Sequence, residues 1–184
     1  MSSSGQREIT QEIIEGCSAK DKSCQKIVYE HFYKSMYAIC LRYSANGDEA
    51  KDLLHEGFIK LFKKSKLYKG DAEFGIWVKR LFINHCIDYV RSAYKRYVHY
   101  FDTIYTDETE ELSYEDESND YPSKKEVFSA MNEIRADYRL ILNLYAIENY
   151  SHAEIAEKLG IKEASSRSKL SRARIALKKQ LNLG

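Results

Sequence analysis

The segment Tyr150–Leu177 gathers side chains suited to a polyanion. Its second half carries Ser165, Arg167, Ser168, Lys169, Ser171, Arg172 and Arg174, with Leu170, Ala173 and Leu177 on the opposite side of a helical period. Hydroxyls and guanidinium groups reach base edges in a major groove, while cations meet phosphates. A second set lies at Tyr94-Lys95-Arg96-Tyr97 and Tyr100, where rings alternate with cations. That mixture suits a single strand, because bases stack on rings and phosphates meet Lys and Arg. A third set is acidic. Asp48, Asp52 and Glu56 recur every four residues, opposite the apolar Leu53 and Leu54. Such a stripe can be a solvated face, part of a metal site or a dock for a basic or amide-rich helix. No second group of ligands has the spacing to complete a metal site, so neither metal nor cofactor is expected.

Catalytic constellations do not emerge. His31, His55, His85, His99 and His152 are scattered, and the chain has no P-loop, GxSxG or HExxH pattern. The only suggestive spacing, His85 with Asp88, is one helical turn. Binding rather than catalysis is the expectation.

The elements that must hold these groups read as helices. Apolar residues recur at three and four through Ile27, Val28, Phe32, Met36, Ile39 and Cys40, then Leu53, Leu54, Phe58, Leu61 and Phe62, then Trp77 and Leu81, and later Ile141, Leu144 and Tyr145. No stretch alternates like a strand. Asn46-Gly47-Asp48 is a break leading to an N-cap, and Lys69-Gly70-Asp71 is a second break. Asn149 tolerates the left-handed conformation that ends helices. Ser151 with Glu154 fits a capping box, Gly160 permits a left-handed C-cap, and Ile161 can tuck beneath the turn. A next helix starts near Glu163. Helix, glycine turn and hydroxyl-and-cation helix together describe a helix-turn-helix.

Charge is segregated behind a net of +1. Asp102–Asp120 holds nine acids and no base, Cys24–Tyr100 a net of +6, and Ile161 to the end another +6. Two basic blocks flank an acidic strip too poor in large aliphatics to bury itself, so the strip reads as a flexible linker. It ends at Pro122, the single proline, where a new helix can begin. The expected fold is therefore all-α, with a helical domain over 8–100, an acidic linker over 101–122 and a second helical domain over 123–184. No apolar run is long enough to span a bilayer, and the start, MSSSGQREIT, lacks a signal-peptide core. Cys17, Cys24, Cys40 and Cys86 form no CxxC, which fits reduced thiols in a cytoplasmic protein without stable membrane insertion.

From Ile134-Arg135-Ala136-Asp137-Tyr138-Arg139 through Ser171-Arg172-Ala173-Arg174, the second domain resembles the fourth conserved region of bacterial sigma factors, which reads the −35 promoter element. The resemblance implies duplex contacts from Ser165, Ser166, Arg167, Lys169, Arg172 and Arg174. This chain departs at Arg135, where proline is common, at Lys162, a poor N-cap, and at Ser166, where many members have valine under the helix.

The first domain resembles the second conserved region. The stripe Asp48, Asp52 and Glu56, with Phe58, matches the part that docks on the clamp coiled coil of the polymerase β′ subunit. Asn84, Asp88 and Arg91 match an N-x-x-x-D-x-x-R spacing on the helix facing the −10 element, with Lys95 and Arg96 after it. Trp77 matches a core aromatic. Lacking further domains, the chain is similar to the compact extracytoplasmic-function group. That implies binding to RNA polymerase core (β′ clamp coiled coil and β flap), to promoter DNA both duplex and single-stranded, and to an anti-sigma factor. A linker in this family runs through nucleic-acid channels of the polymerase, and an acidic one would mimic nucleic-acid charge. A conventional helix-turn-helix regulator would need neither the stripe nor the Asn84–Arg91 pattern. An RNA-binding module would leave the second domain unexplained.

Overall fold

The structure, a computed structural model, describes residues 9–101 and 122–182, with the backbone alone for 93–101. The acidic strip and the side chains of Lys95 and Arg96 lie outside the described residues. The described residues form eight α-helices and two short turns of 3-10 and π type, joined by short connections, and contain no strand. The expected all-α class is what forms. The chain divides into two compact units, one ending at Asp88 and one beginning at Tyr89.

The first unit is a helical bundle. Helix α1 spans Gln11–Ser18, α2 Lys22–Tyr43, α3 Gly47–Lys64, and α4 Phe74–Phe101, the last continuing past the unit boundary. Asp21 starts α2 by accepting from the Ser23 and Cys24 amides at 2.7 and 3.2 Å. Apolar residues at helical spacing then fill the core: Val28, Phe32, Met36 and Ile39 from α2; Leu53, Leu54, Phe58 and Leu61 from α3; Phe74, Val78, Phe82 and Ile83 from α4. Gly57 has a packing reason. A Cβ there would overlap the Phe82 ring, so the missing side chain lets α3 and α4 approach. Burial pushes the Cys17 thiol up to about 11, which makes it a packing residue rather than a nucleophile.

Two sequence expectations need correction. The N-cap of α3 is Asn46, not a residue after the break. Its carboxamide oxygen accepts from the Asp48 and Glu49 amides at 3.1 and 2.9 Å. Trp77 is half-buried rather than core, with its ring 5.7 Å from Phe74 and 5.6 Å from Tyr68. The break at Lys69–Asp71 does form, with Gly70 at φ 79°.

The second unit holds α5 (Lys124–Glu133), α6 (Ala136–Leu142), a π turn over Asn143–Ile147, α7 (His152–Leu159) and α8 (Glu163–Gln180). Its core contains Met131, Leu140, Ile141, Leu144, Ile155, Leu170 and Ala173. Pro122 precedes Ser123, which begins α5 with a capping box to Glu126. Among the described residues, no helix is long and apolar enough to cross a membrane.

Candidate nucleic-acid interface and docking stripe

The helix pair α7–α8 is built by local signals. Ser151 Oγ accepts from the Glu154 amide at 3.3 Å, and the Glu154 carboxylate accepts from the Ser151 amide at 2.8 Å, closing the expected capping box. The Ser151 amide and then the Ser151 hydroxyl, which also donates to that carboxylate at 2.8 Å, hold the Glu154 carboxyl below its ordinary range. At the other end Gly160 sits at φ 67°, the Gly160 amide donates to the Glu157 carbonyl, and the Ile161 amide donates to the Ala156 carbonyl. That is the pairing of a Schellman motif. Asn149, at φ 58°, supplies the left-handed residue before α7. Lys162 opens α8 without a side-chain cap.

On α8, Arg167 and Arg174 are exposed, and Ser165 and Arg172 half-exposed. Arg167 pairs with Glu163 one turn earlier, and Arg174 lies 5.7 Å from the centroid of the Tyr145 ring. Two of the expected contacts point elsewhere. Ser166 is fully buried and hydrogen-bonded to His152 Nδ1 at 3.0 Å, so it cannot touch DNA in this fold. Lys169 Nζ donates to the Asp137 carboxylate of α6 at 2.8 Å. Asp137 also takes the Arg135 guanidinium at 3.1 and 3.2 Å, so Lys169 is committed to the unit's own packing.

The first unit presents two polar faces. Asp48, Asp52 and Glu56 are all exposed, one per turn of α3. Asp48 pairs with Lys51 at 2.9 Å, which holds its carboxyl below the usual range. Asn84 and Asp88 are exposed one turn apart on α4; Arg91, past the unit boundary on the same helix, is half-buried and donates to the Lys158 carbonyl at 3.3 Å. Phe58 departs from expectation. It is a core residue, its ring 4.5 Å from Tyr29 and 5.2 Å from Phe82. No group of three His, Cys, Asp or Glu among the described residues is arranged to hold a metal ion.

The family model described as "Sigma-70 region 2" matches residues 28–96, and the one described as "Sigma-70, region 4" matches 124–177, together about two thirds of the chain. The chain is also similar to the ECF RNA polymerase sigma-E factor of Haemophilus influenzae, at 21% identity over 89% of this chain and 90% of that protein. Against the ECF RNA polymerase sigma factor SigW of Bacillus subtilis the identity is 25% over 84% and 87%. The chain belongs to the extracytoplasmic-function sigma factors. A solved complex of the sigma factor RpoE with the anti-sigma factor NepR from Bartonella quintana shares the fold, with a TM-score of 0.52 at 20% identity, covering 85% of this chain and 96% of that one.

Sigma factors serve promoter-specific transcription initiation by RNA polymerase and are not catalysts. Within this one, sequence reasoning missed two polar contacts inside the units. His85 of α4 is 4% exposed, its Nδ1 2.7 Å from Lys60 Nζ and its Nε2 3.6 Å from a Glu56 carboxylate oxygen, both on α3. Burial first, and the Lys60 charge second, hold its pKa below the ordinary value; Glu56 and Asp88 oppose them. His152 is held low in the same way, by burial and then by Arg167 and Arg174, with Glu163 opposing. A sequence signal existed for Ser166. It lies four residues before Leu170 and seven before Ala173, on the inner face.

Proposed function

We propose that this sigma factor docks on RNA polymerase core through Asp48, Asp52 and Glu56, and that the partner surface is the β′ clamp coiled coil. The proposed domains are 8–100 and 123–184, with 101–122 between them. Asn84, Asp88 and Arg91, with Lys95 and Arg96 beyond, take the −10 element as it opens. Holding unstacked bases offsets the few kcal/mol that unpairing costs. Ser165, Arg167, Arg172 and Arg174 take the −35 duplex, and the second domain packs on the β flap. An anti-sigma factor is the proposed regulatory partner, and the cytoplasm the site of action.

The observation that carries this reading is the exposure of two polar faces in one bundle, acidic on α3 and Asn-Asp on α4. A duplex-binding regulator has no use for either. Run-off transcription with bacterial core polymerase, this protein and genomic promoter fragments is the test. Transcripts that appear only with the protein, with shared sequences near −10 and −35, are expected. Sequence-specific duplex binding by the free protein, with no binding to core, would replace this reading by that of an ordinary regulator.

A further inference from the structure

Ser166 is the first buried side chain of α8, and it is a hydroxyl rather than an aliphatic group. A buried hydroxyl needs a partner. His152, the first residue of α7, supplies it through Nδ1 at 3.0 Å. With the ring neutral and its proton on Nε2, Nδ1 accepts from the Ser166 hydroxyl. The ring is itself fixed, stacked on Tyr145 of the π turn with centroids 4.8 Å apart and planes 24° apart. A continuous chain therefore runs from the π turn through α7 into the first turns of α8.

The rest of α8 is secured further along. Leu170 and Ala173 are buried, and Lys169 is tied to Asp137. The start of α8 has no side-chain cap at Lys162. The Arg167–Glu163 pair runs along the surface of this turn of α8, whereas the His152–Ser166 bond ties the turn to α7. Ser165 and Arg167 flank Ser166 in the chain, Ser165 half-exposed and Arg167 exposed.

We propose that His152 is a positioning residue for −35 specificity: its hydrogen bond to buried Ser166 sets how the recognition helix seats, and thereby which bases Ser165 and Arg167 meet. This rests on the proposed −35 role of α8. It assigns to α7 a part in base choice without base contact.

The experiment is run-off transcription with core polymerase on a promoter pool randomised at −35, reading the base preference at each position. The variants are His152→Phe, which keeps the stacking ring and removes the nitrogen; His152→Asn, whose amide oxygen occupies the Nδ1 position; Ser166→Ala; and the Phe/Ala double. His152→Phe and Ser166→Ala are each expected to flatten the −35 preference about threefold or more, with His152→Asn retaining it. The double should be no flatter than either single, because both remove one bond. An unchanged preference with activity falling equally on every sequence would reduce the bond to a structural one and overturn the proposal, as would additive effects in the double. Should His152→Phe fail to fold, Ser166→Ala carries the test alone, with Ser166→Thr as the hydroxyl-keeping control. If the wild type gives no transcripts at all, the initiation-factor reading fails first, and this inference falls with it.

Discussion

At the scale of single residues, His85 joins two faces of the first unit. Lys60 donates to Nδ1, which leaves the ring proton on Nε2, 3.6 Å from a Glu56 carboxylate oxygen. Burial and the Lys60 charge hold the ring neutral below its ordinary 6.5. The unfolded chain therefore binds more protons than the folded one as pH falls through 6.5 toward the depressed folded value, and stability falls with it. Stability is complete above 6.5 and declines below. The His152 ring acts in the same direction, whereas the lowered carboxyls of Asp21, Asp48, Glu126 and Glu154 come into play only at more acid pH. His85→Gln keeps an acceptor for Lys60 and removes the titration. Thermal melts between pH 7.5 and 5.5 should show a smaller decline for this variant than for wild type; equal declines would assign the pH dependence elsewhere. Residues also mark where sequence reading failed. Phe58 is of a type that favours a core and Ser166 of a type that favours a surface, yet both are buried, and helical period is the signal that covers both. Applied to Ser166, the period places it inward with Leu170 and Ala173. Applied to Phe58, it places that ring with Leu54 and Leu61.

At the scale of elements, what was legible was what local chemistry fixes. The box at Ser151, the left-handed glycine at 160 and the left-handed Asn149 all follow from short-range rules, and all are present. Ser123 with Glu126 obeys the same rule, and the pattern stood equally open in the sequence. The π turn at Asn143–Ile147 had no such signal, because no short-range residue pattern marks a turn of this rare type. The Asp137 cluster was half hidden: Arg135 is its neighbour at the start of α6, but Lys169 is brought to it from α8 by the fold. The two ends of α7 make a quantitative comparison. Ser151→Ala removes the acceptor of the Glu154 amide and is expected to cost about 1 kcal/mol. Gly160→Ala meets no atom within 4 Å, so its cost is conformational alone, roughly 1–2 kcal/mol for a side chain at positive φ. Chemical denaturation should register both as shifts of midpoint with unchanged slope. A Gly160→Ala variant as stable as wild type would mean that the turn relaxes out of the left-handed region.

At the scale of the whole molecule, the proposed function divides charge between tasks, and the division can be tested as a separation of function. The stripe on α3 lies in the first unit, and the exposed Arg167 and Arg174 of α8 in the second. Exposed pairs contribute about 0.5 kcal/mol each, so three missing acids should weaken core binding by about 1.5 kcal/mol, or about tenfold. Asp48→Asn, Asp52→Asn and Glu56→Gln combined should therefore loosen the holoenzyme about tenfold near 0.1 M salt. The difference should shrink near 0.5 M salt, where exposed charges are screened within a few ångströms. Arg167→Ala with Arg174→Ala should leave core binding unchanged. Promoter binding by the holoenzyme should weaken instead, with the salt slope reduced by roughly one for each phosphate that no longer meets a guanidinium. Core affinity measured by titration of labelled protein, and promoter affinity measured on preformed holoenzyme, separate the two. If the stripe variant binds core like wild type, the acidic face is solvated surface, and docking must rest on the apolar and aromatic residues of α2 and α3. If instead the arginine variant loses core affinity as well, α8 serves the polymerase as much as the promoter, and the assignment of one task to each unit fails.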